Sequence, residues 1–158
     1  MTGSSSRGLL ARVAGRLLRM RWVVRAPIWL YRCRLGFVFG TRLLMLEHIG
    51  RSTGRRRWVV LETVDHPDRD TFVVVSGFGT RAQWYRNVLA HGDVRVSVGL
   101  RVGVPARAVA LTADEAADAL ARYATRHPRT WHRLVDAIET AVGERVDRLP
   151  MVRLTLAR

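Results

Sequence analysis

Lysine is absent from this chain, and cysteine occurs once, as Cys33. One cysteine excludes an internal disulfide and any cysteine-based zinc cage. It is what a reducing cytosol favours, and the default role of such a thiol is a small buried apolar group. Acid is nearly missing from the first third: residues 1–57 hold 13 arginines and one carboxylate, Glu47, so their net charge is +12. No apolar run reaches the roughly 20 residues a membrane span needs, because Arg25, Arg32, Arg34 and Arg42 interrupt the most apolar stretch. No uninterrupted apolar stretch follows the first arginines, so a secretory leader is not expected.

What is present is a chain of 158 residues, 48% apolar and 25% charged, enough for one domain with a core. All 27 basic residues are arginine and the net charge is +14. Because the excess sits at the front, it points to an anionic partner there: a membrane surface, nucleic acid or a phosphorylated ligand. No RNA-recognition or helix-turn-helix signature supports specific nucleic-acid binding.

Residues 8–24 have helical period, with Leu9, Val13, Leu17 and Met20 on a stripe edged by arginines. Such a helix docks on an anionic membrane face or packs on its own domain, and both readings stay open. The expected organisation is a tail and basic amphipathic helix over 1–26 and a folded domain over 27–158. Within it a short helix is expected over 28–33. Strands are expected over 42–49, 57–64, 71–76, 94–98, 104–111 and 151–156. Helices are expected over 82–90, from the capping-box spacing at Thr112 to residue 126, and over 129–142. A turn is expected at 65–70. This pattern predicts an α+β fold, a small barrel of about six mostly antiparallel strands with helices inserted.

Two stretches carry candidate chemistry. Gly50-Arg51-Ser52-Thr53-Gly54-Arg55-Arg56-Arg57 combines a glycine-bounded turn, hydroxyls and four guanidinium groups. Outward backbone N–H groups with those side chains make an anion cradle; the plainer reading is an exposed hairpin with solvated charges. It lacks the Gly-Lys-Ser/Thr ending of a Walker loop. Ser76-Gly77-Phe78-Gly79 followed by Trp84-Tyr85-Arg86-Asn87 allows close approach of a flat ligand, or simply turns the chain around a core tryptophan. The five histidines have no metal-ligand spacing, so no metal site is expected and most of them read as surface or structural. Glu47 and Glu62 read as partners of nearby arginines, and Arg122 as a solvated helix residue.

Those two stretches, with Val94-Arg95-Val96-Ser97-Val98-Gly99 and the ending Leu149-Pro150-Met151-Val152-Arg153-Leu154, resemble the deazaflavin-dependent nitroreductase family in order and spacing. The resemblance runs from about Pro27 to the C-terminus, and the all-arginine composition agrees with the actinobacterial members that dominate that family. It implies a split β-barrel related to FMN-binding oxidoreductases and the deazaflavin coenzyme F-420, with FMN as the alternative. That coenzyme carries a phosphodiester and a polyglutamate tail. The implied phosphate and tail contacts are Arg51, Ser52, Thr53, Gly54 and Arg57. Trp58, Val59, Val60 and Leu61 would line the ring, and Val75, Ser76, Gly77, Phe78, Trp84, Tyr85 and Asn87 would surround the ring and ribityl chain. Ser52 stands where many members have lysine, so that contact is either lost or supplied by Arg55 or Arg56. Tyr85 and Tyr123 are the candidate proton donors, and Trp131 and His132 the candidate substrate contacts. The expected activity is hydride transfer from reduced deazaflavin to a quinone, enone or nitro compound. The rival is a non-catalytic flavin, deazaflavin or haem carrier on the same barrel. The expected location is the cytoplasm, including the inner face of the membrane, and a homodimer is also open.

Overall fold

A computed structural model describes residues 28, 31–33, 35–129, 131 and 149–158. The expected N-terminal helix, the boundary at 26/27, most of the helix expected over 129–142 and His132 lie outside these residues. Six strands, β1 (Leu43–Ile49), β2 (Arg56–Asp68), β3 (Thr71–Val75), β4 (Asp93–Val98), β5 (Arg101–Ala110) and β6 (Met151–Leu156), form a closed antiparallel barrel in the order β1-β2-β3-β6-β5-β4. Helix α1 (Gln83–Ala90) joins β3 to β4, and α2 (Ala113–Arg126) follows β5. The α+β barrel expected from the sequence is the fold observed.

Alternation along the strands builds two cores. Leu44 and Leu46 of β1, Leu61 of β2, Phe72 and Val74 of β3, and Val152 and Leu154 of β6 fill the interior. Trp84, Tyr85 and Val88 of α1 pack onto that cluster. The opposite faces of β3 and β6 carry Val73 and Met151 outward. There Ala116, Ala119, Leu120 and Tyr123 of α2 cover them. Helix α2 begins at the expected capping box: the Thr112 hydroxyl accepts from Glu115 N–H, and the Glu115 carboxylate accepts from Thr112 N–H at 2.9 Å.

Two boundaries differ from expectation. Strand β2 runs on through the stretch expected to turn, as far as Asp68, because two register shifts around Asp65 absorb the residues that break the alternation. The turn is confined to Arg69 and Asp70. Strand β5 starts three residues early, at Arg101, where Gly103 takes a φ of +61° within an irregular β4–β5 pairing. Two side chains are also corrected. Cys33 is exposed, not buried. Arg122 is not a free helix residue: its Nε donates to Asp65 Oδ2 at 2.8 Å. Arg126 donates to the other oxygen of the same carboxylate, which is 2% exposed. Burial alone would raise the Asp65 pKa, but the hydrogen bonds and charges of Arg126 and Arg122 outweigh it and hold the group below its ordinary value. No helix among the described residues is long and apolar enough to cross a membrane.

Candidate functional site

The β1–β2 hairpin presents the arginine-rich loop. Ile49 pairs with Arg56, so Gly50 to Arg55 form the connection. The loop is tied down by its own backbone. Gly54 N–H donates to Gly50 C=O at 2.8 Å, Thr53 N–H to the same oxygen at 3.2 Å, and Gly50 N–H to Arg55 C=O at 2.9 Å. Gly54 has a φ of +63°, which a residue with a Cβ adopts only under strain. Arg51 N–H donates to Asn87 Oδ1 at 3.1 Å. The expected row of outward backbone donors is therefore not what forms. The loop spends these N–H groups on itself and on α1, so the cradle relies chiefly on side chains.

Those side chains surround a cavity of about 240 Å³ lined by Gly50, Arg51, Ser52, Thr53, Arg57, Gln83 and Asn87. Arg51 is fixed twice over, its Nη1 donating to Gln83 Oε1 at 2.9 Å and to Asn87 Oδ1 at 3.0 Å. Two hydroxyls and two guanidinium groups with no carboxylate in the lining are the donor set a phosphodiester takes. A side chain at Gly50 would come within 2.7 Å of the Thr53 hydroxyl and 3.1 Å of Arg57 Nε, so glycine is what lets the loop close against Arg57.

Arg57 and Gln83 also line a second cavity, of about 560 Å³, with His48, Trp58, Val59, Phe78, Arg81, Ala82 and Trp84. The two cavities thus share a wall and form one groove, cationic at one end and largely apolar at the other. Its size and its aromatic rim, with Phe78 74% exposed, suit a flat heteroaromatic ring.

This groove gathers Arg51, Ser52, Thr53, Arg57, Trp58, Val59, Phe78, Trp84 and Asn87 from the expected set. The others fall elsewhere. Strand alternation sends Val60 outward opposite Met45 and Leu61 into the barrel core. Val75 packs beneath α2. Ser76 is buried, its hydroxyl donating to Gly79 C=O at 2.7 Å, and so shapes the corner from below. Gly54 and Gly77 have open space beside them and line neither cavity. Tyr85 is in the barrel core, edge-on to Trp84.

Tyr123 lines a different cavity, of about 250 Å³, with Arg42, Glu62, Thr63, Asp65, His66, Arg126 and His127. Its hydroxyl donates to Glu62 Oε1 at 3.1 Å, and its pKa is pushed up to about 12 by burial and by the Glu62 charge. Trp131 packs edge-on to Tyr123 and so belongs to the α2 side. The expected arginine partners of Glu47 and Glu62 are Arg56 at 3.5 Å and Arg42 at 3.9 Å. Trp58 Nε1 also donates to Glu47, at 3.2 Å.

Gln83 and His48 were not expected at the site. His48 is 4% exposed, and its pKa is pushed down to about 4, by burial first and then by the Arg57 charge, with the Ile49 backbone opposing. The signal for it was in the hairpin. Counting back from Gly50 places His48 across from Arg57, on the side of β1 that also carries Leu44 and Leu46.

Residues 23–141 match the family described as F-420H(2)-dependent quinone reductase. The chain belongs to that family. It is accordingly an F-420-dependent oxidoreductase, and its cofactor is the deazaflavin coenzyme F-420. A Mycobacterium tuberculosis protein provisionally named as an F-420H(2)-dependent quinone reductase is 32% identical over 109 residues, 67% of this chain and 80% of that one. Among solved structures, an F-420-H2-dependent reductase superposes with a TM-score of 0.52 at 20% identity, covering 72% of this chain and 93% of the other. A haem storage protein from Vibrio cholerae superposes with a TM-score of 0.51 at 13% identity, covering 77% and 86%. At such identities the two structures speak for the barrel alone.

Proposed function

We propose that this enzyme binds the anionic end of F-420 between Arg51, Ser52, Thr53 and Arg57, lays the deazaflavin ring in the cavity bounded by Trp58, Val59, Phe78 and Trp84, and reduces a quinone. The observation that carries the reading is the shared wall: Arg57 and Gln83 belong to both the cationic and the apolar cavity, so one elongated ligand with a charged tail and a flat head fits both. When bound, the reduced cofactor supplies a hydride, and one proton from solvent completes a hydroquinone. The chain's own part is to hold and orient. Arg57 meets the charge, Asn87 fixes Arg51 for the same task, and Trp58 and Trp84 present apolar surface that keeps water from the ring.

A quinone is preferred over an enone or nitro compound because the named relative acts, by its name, on quinones. Anaerobic mixing of protein, reduced F-420 and a soluble menaquinone analogue, followed by the return of the oxidised cofactor's absorbance, tests the reading. Turnover with nitroaromatics or enones but not quinones would replace the acceptor class. Purification with a flavin or haem spectrum and no turnover would favour the carrier alternative, FMN included.

Three further parts of the proposal rest on composition and surface. The arginine excess of residues 1–57 supports docking on an anionic leaflet from the cytoplasmic side, where a lipophilic quinone would lie. Salt-sensitive flotation with anionic vesicles tests it. The folded domain is taken to start at residue 27, which a truncation that still binds F-420 would support. Exposed Leu100 in the β4–β5 turn and Val102 at the start of β5 support a homodimer, which sedimentation would detect.

A further inference from the structure

The wall of the larger cavity contains a histidine whose protonation state the surrounding hydrogen bonds determine. Asn87 Oδ1 accepts two bonds from Arg51, one from its backbone N–H and one from Nη1. Arginine only donates, so the oxygen of the Asn87 amide must face Arg51 and its NH2 group must face the other way. That group lies 3.2 Å from His48 Nδ1. An amide NH2 only donates, so Nδ1 must accept, and the single proton of a neutral imidazole sits on Nε2. Protonating Nδ1 as well would set two donors against each other.

The charges around the ring push the same way. Arg57 stands opposite on β2, Arg51 lies behind Asn87, and Arg81 lines the same cavity beyond the Ser76–Gly79 corner. The cavity lining contains no carboxylate that would favour an imidazolium. Glu47, the nearest acid on the same strand, points to the other face and is held by Trp58 and Arg56. The Ile49 backbone is the one group that favours the charged ring, and the buried ring itself lines the cavity.

We propose that His48 is a neutral hydrogen-bond donor, through Nε2–H, to an uncharged carbonyl oxygen of the ligand filling this cavity. The charged end of that ligand is met next door by Arg51 and Arg57, so the neutral donor is left for a carbonyl on the flat head. Such oxygens occur both on the deazaflavin ring and on a quinone. The inference deepens the proposed function and rests on it for the ligand, though not for the tautomer.

Imidazole nitrogen NMR of the wild-type protein reads the tautomer without any ligand. The expected result is a single neutral Nε2–H form for His48 from about pH 8 to about pH 5. A proton on Nδ1, or titration near the ordinary histidine value, overturns the proposal. Binding of oxidised F-420 and the quinone KM then locate the carbonyl. His48→Leu, which removes the donor, should weaken one of these by about tenfold, and His48→Gln, which restores an N–H, should recover most of the loss. A change in F-420 affinity assigns the carbonyl to the cofactor ring, and a change in quinone KM alone assigns it to the acceptor. Neither changing in folded His48→Leu overturns the proposal. Absence of F-420 binding by the wild type overturns the functional reading and the ligand assignment together, whereas a wrong tautomer in a protein that binds F-420 overturns this inference alone.

Discussion

Replacing Asp65 by Asn tests how α2 is held to the barrel. The carboxylate is 2% exposed and accepts from Arg122 at 2.8 Å, from Arg126, and from His66 N–H at 3.0 Å. An amide of the same shape keeps one acceptor but presents NH2 to a guanidinium. Removing one partner of a fully buried ion pair costs about 3–5 kcal/mol. Here both arginines are about half exposed, at 52% and 46%, so water recovers part of their solvation and the expected loss is about 2–3 kcal/mol. For a chain of this size that corresponds to a fall in Tm of roughly 4–12 °C. Arg122→Ala leaves the Arg126 bond and should cost about 1 kcal/mol. The pH sign follows from the depressed pKa of Asp65. Its stabilisation is complete above the unfolded carboxylate value of about 3.8 and is lost as pH falls through the lower folded value, so Asp65→Asn should narrow its deficit in strong acid. Urea unfolding near neutral pH and in acid measures both effects. A loss under about 0.5 kcal/mol near neutrality, or a deficit independent of pH, would refute the reasoning.

Other consequences are as direct. Trp84→Ala should cost about 3–5 kcal/mol of stability, because the ring is 9% exposed in the barrel core, and should also weaken cofactor binding; an unchanged Tm would place it outside the core. His48 has a folded pKa of about 4 against 6.5, so the unfolded chain binds more protons between those values; stability should fall as pH drops from about 6.5 to about 4, by at most about 3 kcal/mol, and His48→Gln should flatten that slope. Thr112→Ala removes the cap at the start of α2 and should cost about 1 kcal/mol in thermal unfolding, with no effect on F-420 affinity.

Much of the barrel was legible because its strands alternate. Leu44, Leu46, Phe72, Val74, Val152 and Leu154 each stand two residues from a like partner, and the period of two fixes which face is buried. The long β2 was less legible. Asp65-His66-Pro67-Asp68 reads as a turn, and only the pairing with β3 and the arginines of α2, 57 and 61 residues away, hold it extended. The arginine loop was legible as an anion cradle by composition, but which donors serve it was not, since the self-bonding of Gly50, Thr53 and Gly54 depends on the loop's closed shape. The expected lining of β2 was half right: Trp58 and Val59, near the loop end of the strand, reach the cavity, whereas further along Val60 turns outward and Leu61 enters the barrel core. His48 was overlooked because a lone histidine in a strand has no local signature. Its meaning comes from Asn87, 39 residues later.

F-420 is proposed to bind in the groove that Arg57 joins. A fluorescence titration of oxidised F-420 into wild type, Arg57→Ala and Arg107→Ala tests it most directly. Arg107 pairs with Asp93 at 2.8 Å, both side chains exposed, and lines neither cavity of the groove. Micromolar or tighter binding is expected of wild type and Arg107→Ala. For Arg57→Ala the expected loss is about 2–3 kcal/mol, roughly 30- to 150-fold in Kd. Equal affinities for the two variants, or binding that Arg57→Ala leaves intact, would contradict it.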